Sequence, residues 1–232
     1  MSFCIVARCA RTGNLGIGIA SEHLAGGLQC DGAIRSRIGA TLMLHAPTPA
    51  NNRLAMRLLE QGYAPRHVLS ELCANDPDHA LRQIAIIDRE GRVALYSGVD
   101  AHPAAAASEG EACIAMIDSL PGEPVVRALR ASYESGASLD LDARILAALE
   151  AVDSADAAAM RSVALVVYGA HDYSEVDLRV DMHEQPIAEL RRLYDEYQPF
   201  GAYYDERAKN PRAALPQREF ADMLARKGEG AA

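Results

Sequence analysis

The chain has 232 residues, half of them apolar, a net charge of −9 and no block of Lys or Arg. That length fits one large layered domain with a tail, since domains run to roughly 100–200 residues. The composition excludes the disordered class and offers no clustered basic footprint for nucleic acid, so the acidic excess is read as serving solubility.

In chain order, "FCIVARC" (3–9) and "LGIGIAS" (15–21) alternate with period 2 across "ARTGN" and predict a hairpin. In the second run Leu15, Ile17 and Ile19 point one way and Gly16, Gly18 and Ala20 the other. A strand face that bare implies a closely approaching layer. "TGNLGIG" (12–18) superficially resembles a dinucleotide loop, but its glycines lie inside a strand and open no helix, which removes the phosphate-cradle reading. A third strand, "ATLMLHA" (40–46), follows a loop rich in Gly and Arg.

Two helices are expected next. One runs over 51–62 with Asn51 or Asn52 as N-cap and Gly62 as C-cap, the other over 64–76 with Pro65 in its first turn. A hairpin over 83–98 follows, then a low-complexity stretch, "VDAHPAAAASEGE" (99–111), read as a loop, and a strand over 112–118. Helices over 122–135 and 139–153 precede a last hairpin, "SVALVVYG" (162–169) with "EVDLRVD" (175–181). A helix over 185–197 carries the stripe Ile187, Leu190, Leu193, Tyr194 and Tyr197, which predicts core or interface packing. The tail from Pro199 ends in a polar helix over 217–227. A main domain over 1–198 and a helical arm over 199–232 are therefore expected.

Strand runs bracketing two helix pairs do not fit a doubly wound parallel sheet. They predict an α+β fold, a four-layer α/β/β/α sandwich of two mostly antiparallel sheets, each apolar on both faces. Five cysteines, Cys4, Cys9, Cys30, Cys73 and Cys113, are scattered without a C-x-x-C and read as buried thiols in a reducing compartment. No signal-like opening and no apolar run of ~18 residues is present, so a cytoplasmic protein with no membrane partner is expected. Glu175, Asp177, Arg179 and Asp181 share one strand face near His183 and read as a solvated face with Asp–Arg pairing. Asp177, Asp181 and His183 would be the first ligands to test for a metal, but neither metal nor cofactor is expected.

The segments "MSFCIVARCARTGNLGIGIAS", "RQIAIIDREGRVALYSG" and "VDLRVDMHEQPIAELRRL" resemble an uncharacterised bacterial family grouped by fold with the N-terminal-nucleophile (Ntn) hydrolases. The resemblance runs from Met1 to about Gln198 and implies the same four-layer sandwich. It further implies that Ser2, freed by loss of Met1, attacks a carbonyl while its own α-amine, of pKa ~8, serves as base. On that mapping Arg8, with Arg35 or Arg37, gives electrostatic support. Glu22, His23, His45 and Asn52 are candidate substrate contacts, although helix capping also explains Asn52. The implied activity is hydrolysis of a small amide or peptide-like molecule. Separately, exposed apolar positions in the tail point to a homodimer or larger homo-oligomer.

The chain also departs from that family. Glu22 and His23 follow "GIAS" where relatives usually carry a basic residue, Trp is absent, and "AMIDSL" (115–120) stands where relatives tend toward Gly-Asn-x-Leu. These departures, and retention of Met1, would favour a second reading. In it the sandwich is catalytically inactive and binds a small ligand or serves as an oligomeric scaffold.

Overall fold

The computed structural model describes residues 1–28, 31–119, 122–152 and 157–229. Cys30 and Asp153, on which two of the expectations above fall, lie outside them. The chain divides into two compact units, Met1–Leu190 and Arg191–Ala232.

In the first unit β1 (Ser2–Arg8) and β2 (Leu15–Ser21) form the expected hairpin, followed by β3 (Gly32–Arg35) and β4 (Gly39–Leu44). Helices α1 (Pro49–Glu60) and α2 (Pro65–Asn75) lead to β5 (Gln83–Asp88) and β6 (Val93–Ser97). Strands β7 (Ala106–Gly110) and β8 (Cys113–Ile117), helices α3 (Gly122–Ser135) and α4 (Leu141–Glu150), and strands β9 (Ser162–Tyr168) and β10 (Ser174–Val180) complete the body. The strands form a six-stranded sheet, β10-β9-β2-β1-β8-β7, and a four-stranded sheet, β3-β4-β5-β6. Neighbouring strands pair antiparallel throughout.

Period 2 sorts the side chains into layers. Cys4, Val6, Ile17, Ile19, Leu42, Leu44, Ile87, Ile114 and Met116 meet between the two sheets. Met43, Ile84 and Ile86, on the other face of the small sheet, pack with Met56, Leu59, Val68 and Leu72 of α1 and α2. Helices α3 and α4 cover the large sheet. The result is the four-layer α/β/β/α sandwich. Each fully buried Ile or Leu contributes about 1.5–3 kcal/mol relative to leaving it exposed, so both faces of each central strand stabilise the fold.

The bare face of β2 has the cause its pattern implied. A Cβ on Gly16 would stand 2.5 Å from Ile145 Cδ1, and one on Gly18 would stand 2.5 Å from Ile145 Cγ2. Helix α4 lies against the strand where only hydrogen atoms fit.

Several local expectations are corrected. Thr48, not Asn51 or Asn52, caps α1, accepting from the Ala50 N–H, and Pro49 opens the helix. Both asparagines lie inside it and are buried. The stretch read as a loop contains β7, and the Gly/Arg-rich loop contains β3. Both are edge strands of small or weakly β-forming residues, held by pairing with β8 and β4 rather than by propensity. Strand β4 stops at Leu44 because His45 and Ala46 adopt φ of +54° and +56°.

Helix α5 (Pro186–Tyr197) begins in the first unit, and its most deeply buried apolar side chains include Leu190 and Tyr194 of the predicted stripe. The second unit holds α6 (Gly201–Lys209), which the sequence pattern did not announce, and α7 (Gln217–Glu229). Its small core is aromatic, with Tyr203 edge-on to Phe200 and Phe220 tilted against both. Among the described residues, no helix is long and apolar enough to cross a membrane.

Candidate active site

The inter-sheet layer opens where β1 begins and β4 and β8 end. Ser2 shares the parity of Cys4 and Val6, so its side chain faces between the sheets at this opening. The register places Ser21 directly opposite, and the two hydroxyls lie 2.9 Å apart. On the other side β1 pairs with β8, and the residue after that strand, Asp118, closes on Ser2. The Ser2 N–H donates to Asp118 Oδ1 at 2.8 Å, and the Asp118 N–H donates to the Ser2 carbonyl at 3.1 Å. Ser21 Oγ also accepts the His23 N–H at 3.1 Å, which ties the turn after β2 to the same point.

Ser2, His23 and Asp118 line a cavity of about 590 Å³. Its far side is the turn after β4, where His45, Ala46 and Pro47 join Met43 and Leu44 in the lining. The left-handed backbone at His45 and Ala46 costs on the order of 1 kcal/mol each, a strain concentrated at the cavity wall. His102 and Ser119 complete the lining, and the buried Ser119 Oγ has no hydrogen-bond partner among the described residues.

The cavity is acidic. Glu22, Asp31 and Asp118 line it, whereas no Lys or Arg does among the described residues. The Met1 ammonium is the fixed cation among its described lining residues. The Met1 ammonium donates to Glu22 and holds that carboxyl below its ordinary range. Burial pushes the Asp31 carboxyl up, Asp118 adds to this, and His23 opposes it. Burial and then Asp118 also push the Cys4 thiol well up, so Cys4 stays a neutral structural thiol.

Of the residues singled out from sequence, Ser2, Glu22, His23 and His45 come together here. Arg8 does not. It lies six residues further along an extended strand, roughly 20 Å away at about 3.3 Å per residue. There it lines a separate cavity of about 360 Å³ with Arg37, Arg89 and Glu90. Arg35 pairs with Glu60 at 3.1 Å and shares a third cavity, of about 400 Å³, with Asn52, Arg53 and Arg57. Sequence reasoning missed Ser21, Asp31, His102, Asp118 and Ser119. Only the Ser2–Ser21 pair had a signal, in the register of the first hairpin.

Arg179 forms an ion pair with Asp181 on the exposed face of β10. No group of three or more His, Cys, Asp or Glu among the described residues is arranged to hold a metal.

Two antiparallel sheets between helix pairs, with a serine heading a central strand at an inter-sheet cavity, define the class of this protein as a four-layer α/β/β/α sandwich. The family of unknown function DUF1028 matches residues 2–190, and the chain belongs to that family. It is similar to the crystal structure of protein SPO2555 from Silicibacter pomeroyi, assigned to the same family. That likeness has 26% identity and a TM-score of 0.77 over 85% of this chain and 86% of that one. A more distant likeness, at 13% identity and a TM-score of 0.41, is to Anbu (ancestral beta-subunit) from Yersinia bercovieri, over 84% of this chain and 94% of that one. No curated protein matches the chain.

Proposed function

We propose that the protein is an N-terminal-nucleophile amidohydrolase acting on a small amide or peptide-like substrate, with Ser2 as nucleophile once Met1 has been removed. The observation that carries this reading is the setting of Ser2. Its hydroxyl is at the cavity wall, and its backbone nitrogen already rests on a carboxylate, Asp118 Oδ1, at 2.8 Å. Loss of Met1 turns that nitrogen into an α-amine held by the same carboxylate.

The neutral amine takes the proton of Ser2 Oγ as Oγ bonds to the substrate carbonyl carbon. The amine then passes that proton to the departing nitrogen as the C–N bond breaks, leaving an ester on Ser2. Water, deprotonated by the same amine, attacks the ester and releases the acid, and Oγ regains its proton. Ser21 holds Oγ in place through the 2.9 Å contact, and the unpartnered Ser119 hydroxyl is a donor for the substrate. Arg8 and Arg35 have no part in this scheme, being housed in other cavities.

Electrostatics gives the reading a pH signature. A carboxylate beside the α-amine favours its ammonium form and raises its pKa above the ordinary ~8. The base therefore becomes available only on the alkaline side, and kcat/KM rises with pH there. In Asp118→Asn the amine loses this stabilisation of its charged form, so the rise moves down by roughly one pH unit or more. A panel of amides assayed by amine release with Met1-free protein and the Asp118→Asn variant tests both statements. No turnover across the panel by fully processed protein contradicts the hydrolase reading.

The second reading, a catalytically inactive sandwich that binds a small ligand, is favoured by one contact. With Met1 in place, its ammonium is committed to Glu22 and the Ser2 nitrogen is an amide without basicity.

A further inference from the structure

Met1 is a terminal residue, yet only 13% of its side chain is exposed, and it lines the cavity beside Ser2. Both of its backbone polar groups are held by one partner. Its ammonium donates to the Glu22 carboxylate, and its carbonyl accepts the Glu22 N–H at 2.9 Å. The second bond continues the β1–β2 ladder one residue beyond the Ser2–Ser21 pair. The chain thus already seats one aminoacyl group, by charge at the amine and by a ladder hydrogen bond at the carbonyl.

When Met1 leaves, Glu22 loses a cation from its carboxylate and an acceptor from its N–H together. The vacated place keeps its acidic surroundings, Asp31 and Asp118, and the apolar lining of Met43, Leu44 and Pro47. A free α-ammonium satisfies Glu22 there, whereas an acylated amine offers no charge and leaves that carboxylate facing an unpaired neutral group. A ligand carbonyl accepting the Glu22 N–H, as the Met1 carbonyl does, stands next to the Ser2 nitrogen at non-bonded distance, set back from the place of the bonded Met1 carbon. The backbone part of this recognition is strand addition to the end of β2.

We infer that the position of Met1 is a subsite for an aminoacyl group with a free α-ammonium. The ligand class is then an amino-acid amide or the N-terminal residue of a peptide. This rests on the reading of the Ser2 cavity as the working site, but its test does not require turnover. Calorimetric titration of Ser2→Ala protein, confirmed by mass to lack Met1, with methioninamide and with N-acetylmethioninamide measures recognition alone.

The free-amine ligand is expected to bind at least about tenfold more tightly, the weight of one charge-assisted contact. Glu22→Gln, checked by its thermal midpoint to be folded, is expected to abolish the difference. Equal binding of the two ligands, or no binding of methioninamide, overturns the subsite. The two ideas fail separately. A binding preference without turnover by Met1-free wild type removes the hydrolase and leaves the subsite. Turnover of free and acetylated amides at equal rates removes the subsite and leaves the hydrolase.

Discussion

Ser2→Ala, with Met1 removed, is expected to lower amide turnover by at least about 10³-fold, the scale of losing a covalent nucleophile. The protein should remain folded, because among the described residues Ser2 Oγ hydrogen-bonds to Ser21 alone, and such a bond contributes about 1 kcal/mol. The backbone bonds between Ser2 and Asp118 survive the change. Substrate affinity should hold, since the proposed ligand contacts at Glu22 and Ser119 are untouched. Turnover by Ser2→Ala equal to wild type would place any activity elsewhere. Rates of both proteins on one amide, compared by kcat, settle it.

The largest stability effect is expected at a buried charge network whose members are not among the cavity's lining residues. Asp76, just past α2, accepts Arg82 Nε on Oδ2 at 2.5 Å and Arg82 Nη2 on Oδ1 at 3.2 Å. Asn51 of α1 donates its amide to the same Oδ2 at 2.5 Å, and the Asp78 N–H donates to Oδ1 at 3.0 Å. Asp76 and Arg82 are 7% and 6% exposed, so removing either leaves a charge stranded in the interior. Arg82→Ala is expected to cost about 3–5 kcal/mol, read as a fall in urea midpoint. A loss below about 1 kcal/mol, the scale of an exposed ion pair, would contradict it.

The same network sets an acid limit. Arg82 holds the Asp76 carboxyl down to about 2, helped by the Asp78 N–H and Asn51 and opposed by burial. A carboxyl whose folded pKa is depressed contributes stability that is complete above its unfolded value, near 3.9. That contribution is lost as pH falls from there toward about 2. Arg82→Ala removes this part of the acid dependence along with the stability.

Much of this architecture can be read in the chain because its signals are local. The runs "IAII" and "ALVV" announce strands buried on both faces, and the glycines of "LGIGIAS" announce the approach of α4 one layer away. What could not be read is what depends on distant pairing. Asp118 reaches Ser2 only because β8 is the neighbour of β1, a pairing 116 residues apart in the chain. No local pattern encodes it. The same remoteness hid β7, whose "AASEG" has little strand propensity and is held by β8. The turn that forms the cavity's far wall depends on positive φ at His45 and Ala46, residues whose identities do not demand it.

Arg8 illustrates the opposite error. Its parity along β1 is the same as that of Ser2, but a strand separates its two ends by its full length. Shared facing is not shared position. Asn51 and Asn52 failed differently, since Asn at a helix start reads as a cap until Thr48 and Pro49 are seen to precede it. Asn51 instead braces the Asp76–Arg82 pair.

The central claim turns on whether the Ser2 nitrogen is an amine, and intact mass of the protein purified from its native host measures that directly. The account predicts a population lighter by one methionine residue, beginning at Ser2, with the α-amine on Asp118 and Glu22 open to a ligand. A population that uniformly retains Met1 would contradict it, for the Ser2 nitrogen would then be an amide and the hydroxyl would have no base.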